Sequence, residues 1–287
     1  MQLKDINMEN INIYNKPINN EEQGVIKENS KFEEKDTEEQ EIKKKLNDLL
    51  SKIECFDTSN WAKIHDKLNS GMIGTCLTSK DCYRIGFIKV LIDKAKESNI
   101  HFAKDGNHFY VYNNQYWIKI SEDLLKSFLH MAAQKMGIPI GLSSCVKFIK
   151  STYEQLIESG FFEKMIQDNV TYLNVLNGTI KIDLDGVNLR DFDSKHFLTH
   201  QLDFEYDKNR VNQVWLDFLN KVLPDKDTQK TLQQAIGYLF IKDLKLEKVI
   251  FLYGIGSNGK SVIFEIIKGI LSVDMMTNYS LASLTNH

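Results

Sequence analysis

Eight consecutive residues, Gly254, Ile255, Gly256, Ser257, Asn258, Gly259, Lys260 and Ser261, have the types and the spacing to hold a phosphate. They match the pattern GxxxxGK[ST] in full. Glycines at 254, 256 and 259 let the backbone curl so that successive N–H groups converge on phosphate oxygens. The positive end of a helix starting near Lys260 favours the same anion. In that arrangement Lys260, the one catalytic candidate, reaches the β and γ phosphates, and the Ser261 hydroxyl ligates Mg²⁺. The expected ligands are therefore ATP and Mg²⁺. A glycine-rich turn that merely precedes a helix would have to place both the lysine and the serine by chance. Hydrolysis is a separate requirement, because it also takes a carboxylate that holds Mg²⁺ and orients water, and often an arginine. The 26 residues after Ser261 contain no apolar strand ending in paired acids.

The elements that must position this loop are legible around it. Val249-Ile-Phe-Leu-Tyr253 is a short apolar run and predicts a buried strand, followed by a helix with Val262, Ile263, Ile266, Ile267, Ile270 and Leu271 on its inner face. A phosphate-loop fold sets further parallel strands beside such a strand, so the expectation is a chain cut short of its sheet. Upstream, Val211, Val214, Trp215, Phe218, Leu219, Val222 and Leu223 follow a helical repeat to Pro224. Asp227 is the candidate cap of a second helix carrying Leu232, Ala235, Ile236, Leu239 and Phe240. These two helices are expected to pack as a hairpin.

The first two thirds mix helices with hairpins. Helices are predicted near 61–68 and 85–96, and a hairpin over 108–120 around Asn113-Asn114. Ser121 then caps a helix whose stripe of Leu124, Leu125, Phe128, Leu129, Ala132, Ala133 and Met136 ends at Gly137. Another helix is expected from Ser143 to about Ser159, and Asn177-Gly178 marks a second hairpin. Tyr110, Tyr112, Tyr116 and Trp117 could stack unpaired bases, although half-buried strands favour the same residues for packing. His196 and His200 stand four apart in a segment that reads as extended, which makes a metal pair incidental.

Composition sets the outer bounds. The chain has 287 residues, 42% hydrophobic and 26% charged, enough to bury one or two cores. Residues 1–50 carry twelve acidic and eight basic side chains, so a net of −4 there leaves +1 for the rest of a chain whose total is −3. Bulk charge therefore gives no support to nucleic-acid binding. The four cysteines lack the paired spacing of a zinc site and read as reduced thiols. No apolar run approaches the roughly 20 residues that span a bilayer, and Met1 to Asn10 lacks the apolar centre of a signal peptide. The expectation is a cytoplasmic protein with no membrane partner. Three segments follow: a disordered acidic tail at 1–45, a mixed α+β accessory domain at 46–200, and a helical lead-in with a strand, phosphate loop and helix at 201–287. The fold class is α/β, an α+β accessory domain followed by a truncated P-loop α/β domain.

On these residues the chain resembles the superfamily 3 helicases, in particular the primase-helicases of phages, plasmids and poxvirus-like viruses. The resemblance rests on Asn258 before Gly259-Lys260-Ser261, on Leu232-Gln-Gln-Ala-Ile-Gly-Tyr-Leu-Phe240 and on Leu202-Asp-Phe-Glu-Tyr-Asp207 with the Trp215 helix. It also includes Val175-Leu-Asn-Gly-Thr-Ile180, so it spans roughly residues 100–287. It implies the start of an AAA+-like motor from about residue 201, ATP held between subunits of a hexameric ring, and unwinding of single-stranded or forked DNA in replication. The Walker B acid, the sensor and the arginine finger of the family have no counterpart in this chain. Asp183-Leu-Asp185 with Ser194-Lys-His196 faintly echoes a primase pattern, but Asp183 to Gly186 is better explained as a turn after a hairpin strand. The competing reading is an inactive DNA- or partner-binding replication module with a vestigial loop. A small-molecule kinase is disfavoured because it would place the loop near its N-terminus.

Overall fold

A computed structural model describes residues 23–70, 78–158, 170–242, 244–245, 247–256, 258–271, 275–277, 279–280 and 283, with side chains from residue 37 onward except at 58. The chain divides into two compact units, one from residue 20 to 165 and one from 166 onward. Helices and two small antiparallel sheets make up the mixed α/β architecture that the pattern predicts.

The first unit holds α1 (Gln23–Lys52), α2 (Thr58–Asn69), α3 (Ser79–Glu97), β1 (Phe102–Asp105), β2 (His108–Tyr112) and β3 (Trp117–Ile120). It continues with α4 (Glu122–Lys135), the single turn α5 (Ile140–Ser143) and α6 (Val146–Glu158). Ile42, Leu46, Leu49 and Ile53 recur at helical spacing along α1 and its end, and all are buried. So the segment read as an acidic tail carries a helix from Gln23, whose last turns join the core; residues 1–22 lie outside the described residues. Ser121 caps α4 by accepting the N–H of Leu124, and the chain leaves the helix at Gly137 with φ +80°. No other residue fits there, because a Cβ would lie 2.4 Å from the Phe56 carbonyl oxygen. Lys135 donates to the Leu50 carbonyl at the end of α1, 2.7 Å away, where a cation meets the negative end of that helix.

The expected hairpin at 108–120 is present and is extended by β1, pairing Phe102 with Val111 and Asp105 with His108. Phe102, Phe109, Val111, Ile118 and Ile120 share one face of this sheet and join Phe87, Leu91, Phe128 and Leu129 in the core. Tyr110, Tyr112 and Trp117 are buried as well and Tyr116 is half-buried, so of the two readings of this cluster the burial supports strand packing over base stacking.

The second unit holds β4 (Thr171–Val175), β5 (Gly178–Asp183), β6 (Gly186–Arg190), a 3₁₀ turn at Ser194–His196, α7 (Gln213–Val222), α8 (Lys226–Tyr238) and α9 (Lys260–Leu271). The Asn177-Gly178 turn sits where the sequence puts it, and Gly178 has φ +148°. Val175, Ile180 and Ile182 of the sheet form one apolar cluster with Leu202, Tyr206, Leu219, Leu232, Ile236, Ile263, Ile266 and Ile270. That shared burial explains why this unit begins at 166, earlier than the boundary near 200 suggested by the pattern. Asp225, two residues before the expected Asp227, caps α8 by accepting the N–H of Thr228 at 2.8 Å.

Candidate functional site

Upstream of the loop, two segments separated in sequence pair with each other. Val175 forms a parallel bridge with Leu202, the Leu202 N–H donates to Asn174 O at 2.9 Å, and the Leu176 N–H donates to Phe204 O at 3.0 Å. The Asn177 amide completes the pairing, donating to Tyr206 O at 2.9 Å and accepting the Tyr206 N–H at 3.0 Å. A side chain here imitates a backbone strand partner. The sequence stretches 175–180 and 202–207 are therefore one structural feature, and it delivers the chain into α7.

From α7 the helical hairpin is locked by polar contacts at its turn. Gln229 donates to Leu223 O at 2.7 Å and to Asn220 Oδ1 at 3.1 Å, closing the end of α7 onto the first turns of α8. The apolar stripes of α7 and α8 leave room for the inner face of α9, where Ile263, Ile266 and Ile270 are buried. Val262, placed on that inner face by the sequence, is instead exposed, and Ile267 and Leu271 are partly buried.

The loop itself precedes α9 directly. Gly256 has φ +48° and Gly259 φ +84°, left-handed conformations that glycine adopts without a Cβ penalty. The Gly259 carbonyl accepts the N–H of Ile263 at 3.0 Å, which starts the helix. That leaves the N–H groups of Lys260, Ser261 and Val262 without an intrahelical acceptor, the condition for anion binding at a helix start. Lys260 turns back into the loop, its ammonium donating to Gly254 O at 2.9 Å and to Asn258 Oδ1 at 2.6 Å. Asn258 also lies over Gly254, where a Cβ would fall 1.6 Å from its amide nitrogen. The structure thus brings Gly254, Asn258, Gly259 and Lys260 together; Ser261 is exposed in the first turn of α9, Ile255 points to solvent, and Ser257 lies outside the described residues.

A cation in the first turn of a helix opposes the helix dipole, and α9 has no acid there to offset Lys260. Local electrostatics would place an acid or a neutral cap at this position. Departures of this kind occur where function selects the residue. The donor set fits a nucleotide phosphate: backbone N–H groups at a helix start, one ammonium facing them, and a hydroxyl at Ser261 available to a divalent cation.

The predicted strand at 249–253 is not formed. Val249, Ile250, Phe251, Leu252 and Tyr253 are exposed, Tyr253 at 93%. Strand backbone needs a hydrogen-bonded neighbour, and among the described residues none pairs with this run. Sequence reasoning missed Phe218 and Val222 as loop neighbours, since it counted them only as part of a buried stripe. A Cβ on Gly259 would lie 2.8 Å from the tip of the Phe218 ring.

Other candidates resolve into structural roles. His196 stacks on Tyr172 with ring centroids 3.8 Å apart, and no group of metal ligands occurs among the described residues. Asp183 accepts from Lys181 at 2.5 Å and from the Asp185 N–H at 3.0 Å, as a turn residue does. The Lys181 hydrogen bond holds the Asp183 carboxyl below its ordinary pKa. Among the described residues Cys55, Cys82 and Cys145 form no disulfide. No helix among the described residues is long and apolar enough to cross a membrane.

Residues 89–224 match the family model described as D5 N terminal like. This is a domain found in phage and viral primase-helicase proteins. The match runs from within α3 to Pro224, just beyond α7, and takes in the hairpin, the lead-in and the Trp215 helix. It ends before α8 and the loop. No curated protein matches the chain.

Proposed function

We propose that this protein binds ATP with Mg²⁺ at residues 254–261 and acts in replication as part of a superfamily 3 primase-helicase. The observation that carries the reading is Lys260, a cation at a helix start with its ammonium turned into a loop whose glycines adopt left-handed geometry. The D5 N-terminal-like segment ending at Pro224 supports the replication context, because it stands directly upstream of the loop. In this reading the N–H groups of residues 256–261 hold the β and γ phosphates. Lys260 exchanges its bonds to Gly254 O and Asn258 Oδ1 for phosphate oxygens, and Ser261 ligates the metal. Bound Mg-ATP supplies the energy of phosphoryl transfer; the acid and arginine needed to release it are not assigned to any residue here. DNA, single-stranded or forked, and a hexameric ring are the corresponding proposals for partner and assembly, supported by the family resemblance.

The test is equilibrium binding of labelled ATP with and without Mg²⁺. Wild type should bind in a Mg²⁺-dependent way, and Ser261→Ala should lose most of that dependence. Absence of ATP binding together with retained binding of single-stranded DNA would instead select the module with a vestigial loop.

A further inference from the structure

Gly259, the residue at which loop becomes helix, is held from two sides. Its carbonyl is fixed by the first hydrogen bond of α9, and its Cα faces α7, where a Cβ would meet Phe218 Cζ at 2.8 Å and Val222 Cγ1 at 3.1 Å. Phe218 in turn stacks on Trp215, with ring centroids 5.5 Å apart and planes inclined by 20°. Packed interiors transmit displacement, because side chains at van der Waals contact have no slack to absorb it. The neighbouring face of α7 is different. Trp215, Leu216, Leu219 and Asn220 line a cavity of about 430 Å³ bounded by α8 and the far end of α9. So α7 meets the loop along one face and borders open space along the next, with Trp215 shared between them.

We propose that Phe218 and Val222 are positioning residues of the phosphate loop, and that α7 registers nucleotide occupancy through the line Gly259, Phe218, Trp215. The proposal rests on the reading of residues 254–261 as an ATP site. A phosphate gathered by the loop N–H groups draws the backbone at 258–260 into one conformation, and Gly259 cannot settle toward α7 without moving the Phe218 ring. The cavity gives α7 somewhere to go. Since α7 is the last helix of the segment similar to the D5 N-terminal-like domain, the line carries the state of the loop into that segment.

The experiment uses the full chain and two independent readouts: equilibrium dialysis of labelled Mg-ATP, and tryptophan emission, with the Trp215 component defined as that lost in Trp215→Phe. Mg-ATP should change the Trp215 emission of wild type. Phe218→Ala should abolish that change and weaken ATP binding about ten-fold, the loss expected when an unsupported loop must be ordered on binding. Phe218→Leu, which refills the volume against Gly259, should recover most of the affinity. If Phe218→Ala does not fold, as judged by circular dichroism, the smaller truncation Val222→Ala decides by the same criteria. A folded Phe218→Ala, or Val222→Ala in its place, that binds ATP as wild type does and keeps the emission change overturns the positioning role. Wild type that binds ATP by dialysis without any Trp215 response overturns the occupancy line alone. Wild type that shows no ATP in dialysis overturns the site reading itself, and the two failures are thereby told apart.

Discussion

At the scale of single residues, the loop is shaped by what glycine omits. Gly259 combines a left-handed φ with a Cα pressed against Phe218, so Gly259→Ala pays both backbone strain and overpacking. A cost of about 1–3 kcal/mol is expected from such overpacking, measurable by denaturant unfolding. Gly254 differs, since its φ is not left-handed and its constraint is the Asn258 side chain alone. Gly254→Ala should therefore be harmful in wild type and nearly neutral in an Asn258→Gly background; a double-mutant cycle in which the two effects simply add would disprove this account of the contact. Lys260 is the residue whose identity the local physics does not favour. Sequence alone exposed it, because the motif fixes lysine by position. The neighbours Phe218 and Val222 were not legible, because a helical repeat shows which face is apolar and not which backbone that face will touch.

At the scale of elements, caps and turns carry the most sequence information and unpaired strands the least. Asp225 closes α8, and its carboxyl is held below the ordinary value of 3.8 by the Thr228 hydroxyl and N–H. A depressed acid stabilises the fold fully above its unfolded pKa and loses that contribution as pH falls through the folded one. Thermal unfolding between neutral pH and the range below 3.8 should show this loss in wild type, and Asp225→Asn, which keeps a cap without the titration, should flatten it. α9 depends on packing instead. Ile266 is buried against α7 and α8, and Ile266→Ala should cost roughly 2–5 kcal/mol by loss of burial and the cavity left behind. The Asn177-Gly178 hairpin, the Ser121 cap and the Gly137 stop were readable because each needs a particular residue type at one place. The run Val249 to Tyr253 was misread for the opposite reason: five apolar residues specify a tendency to pair, and pairing is decided by a neighbour the run does not contain.

At the scale of the molecule, two separate cores divide the chain, one around Phe87, Leu91, Phe128 and Leu129 and one joining the β4–β6 sheet to α7, α8 and α9. Phe128→Ala should destabilise the first unit by roughly 3–5 kcal/mol, while Ile266→Ala acts on the second, so calorimetry of the two variants should displace different parts of the unfolding profile. A common shift in both would show that the units melt as one. The boundary between units was hidden in the sequence because the hairpin at 171–190 has the period of the first half but buries its apolar face with the helices of the second. Common to the three scales is the loop at 254–259, proposed to hold phosphate, which follows a segment similar to the D5 N-terminal-like domain and is closed by a lysine at the start of α9. The most direct test is isothermal titration of the whole chain with Mg-ATP, wild type against Lys260→Ala. Saturable binding by wild type, weakened roughly ten- to hundred-fold by loss of one charge-assisted hydrogen-bonding group, is the predicted result. Equal affinity in the two proteins, or no binding by wild type, would contradict it.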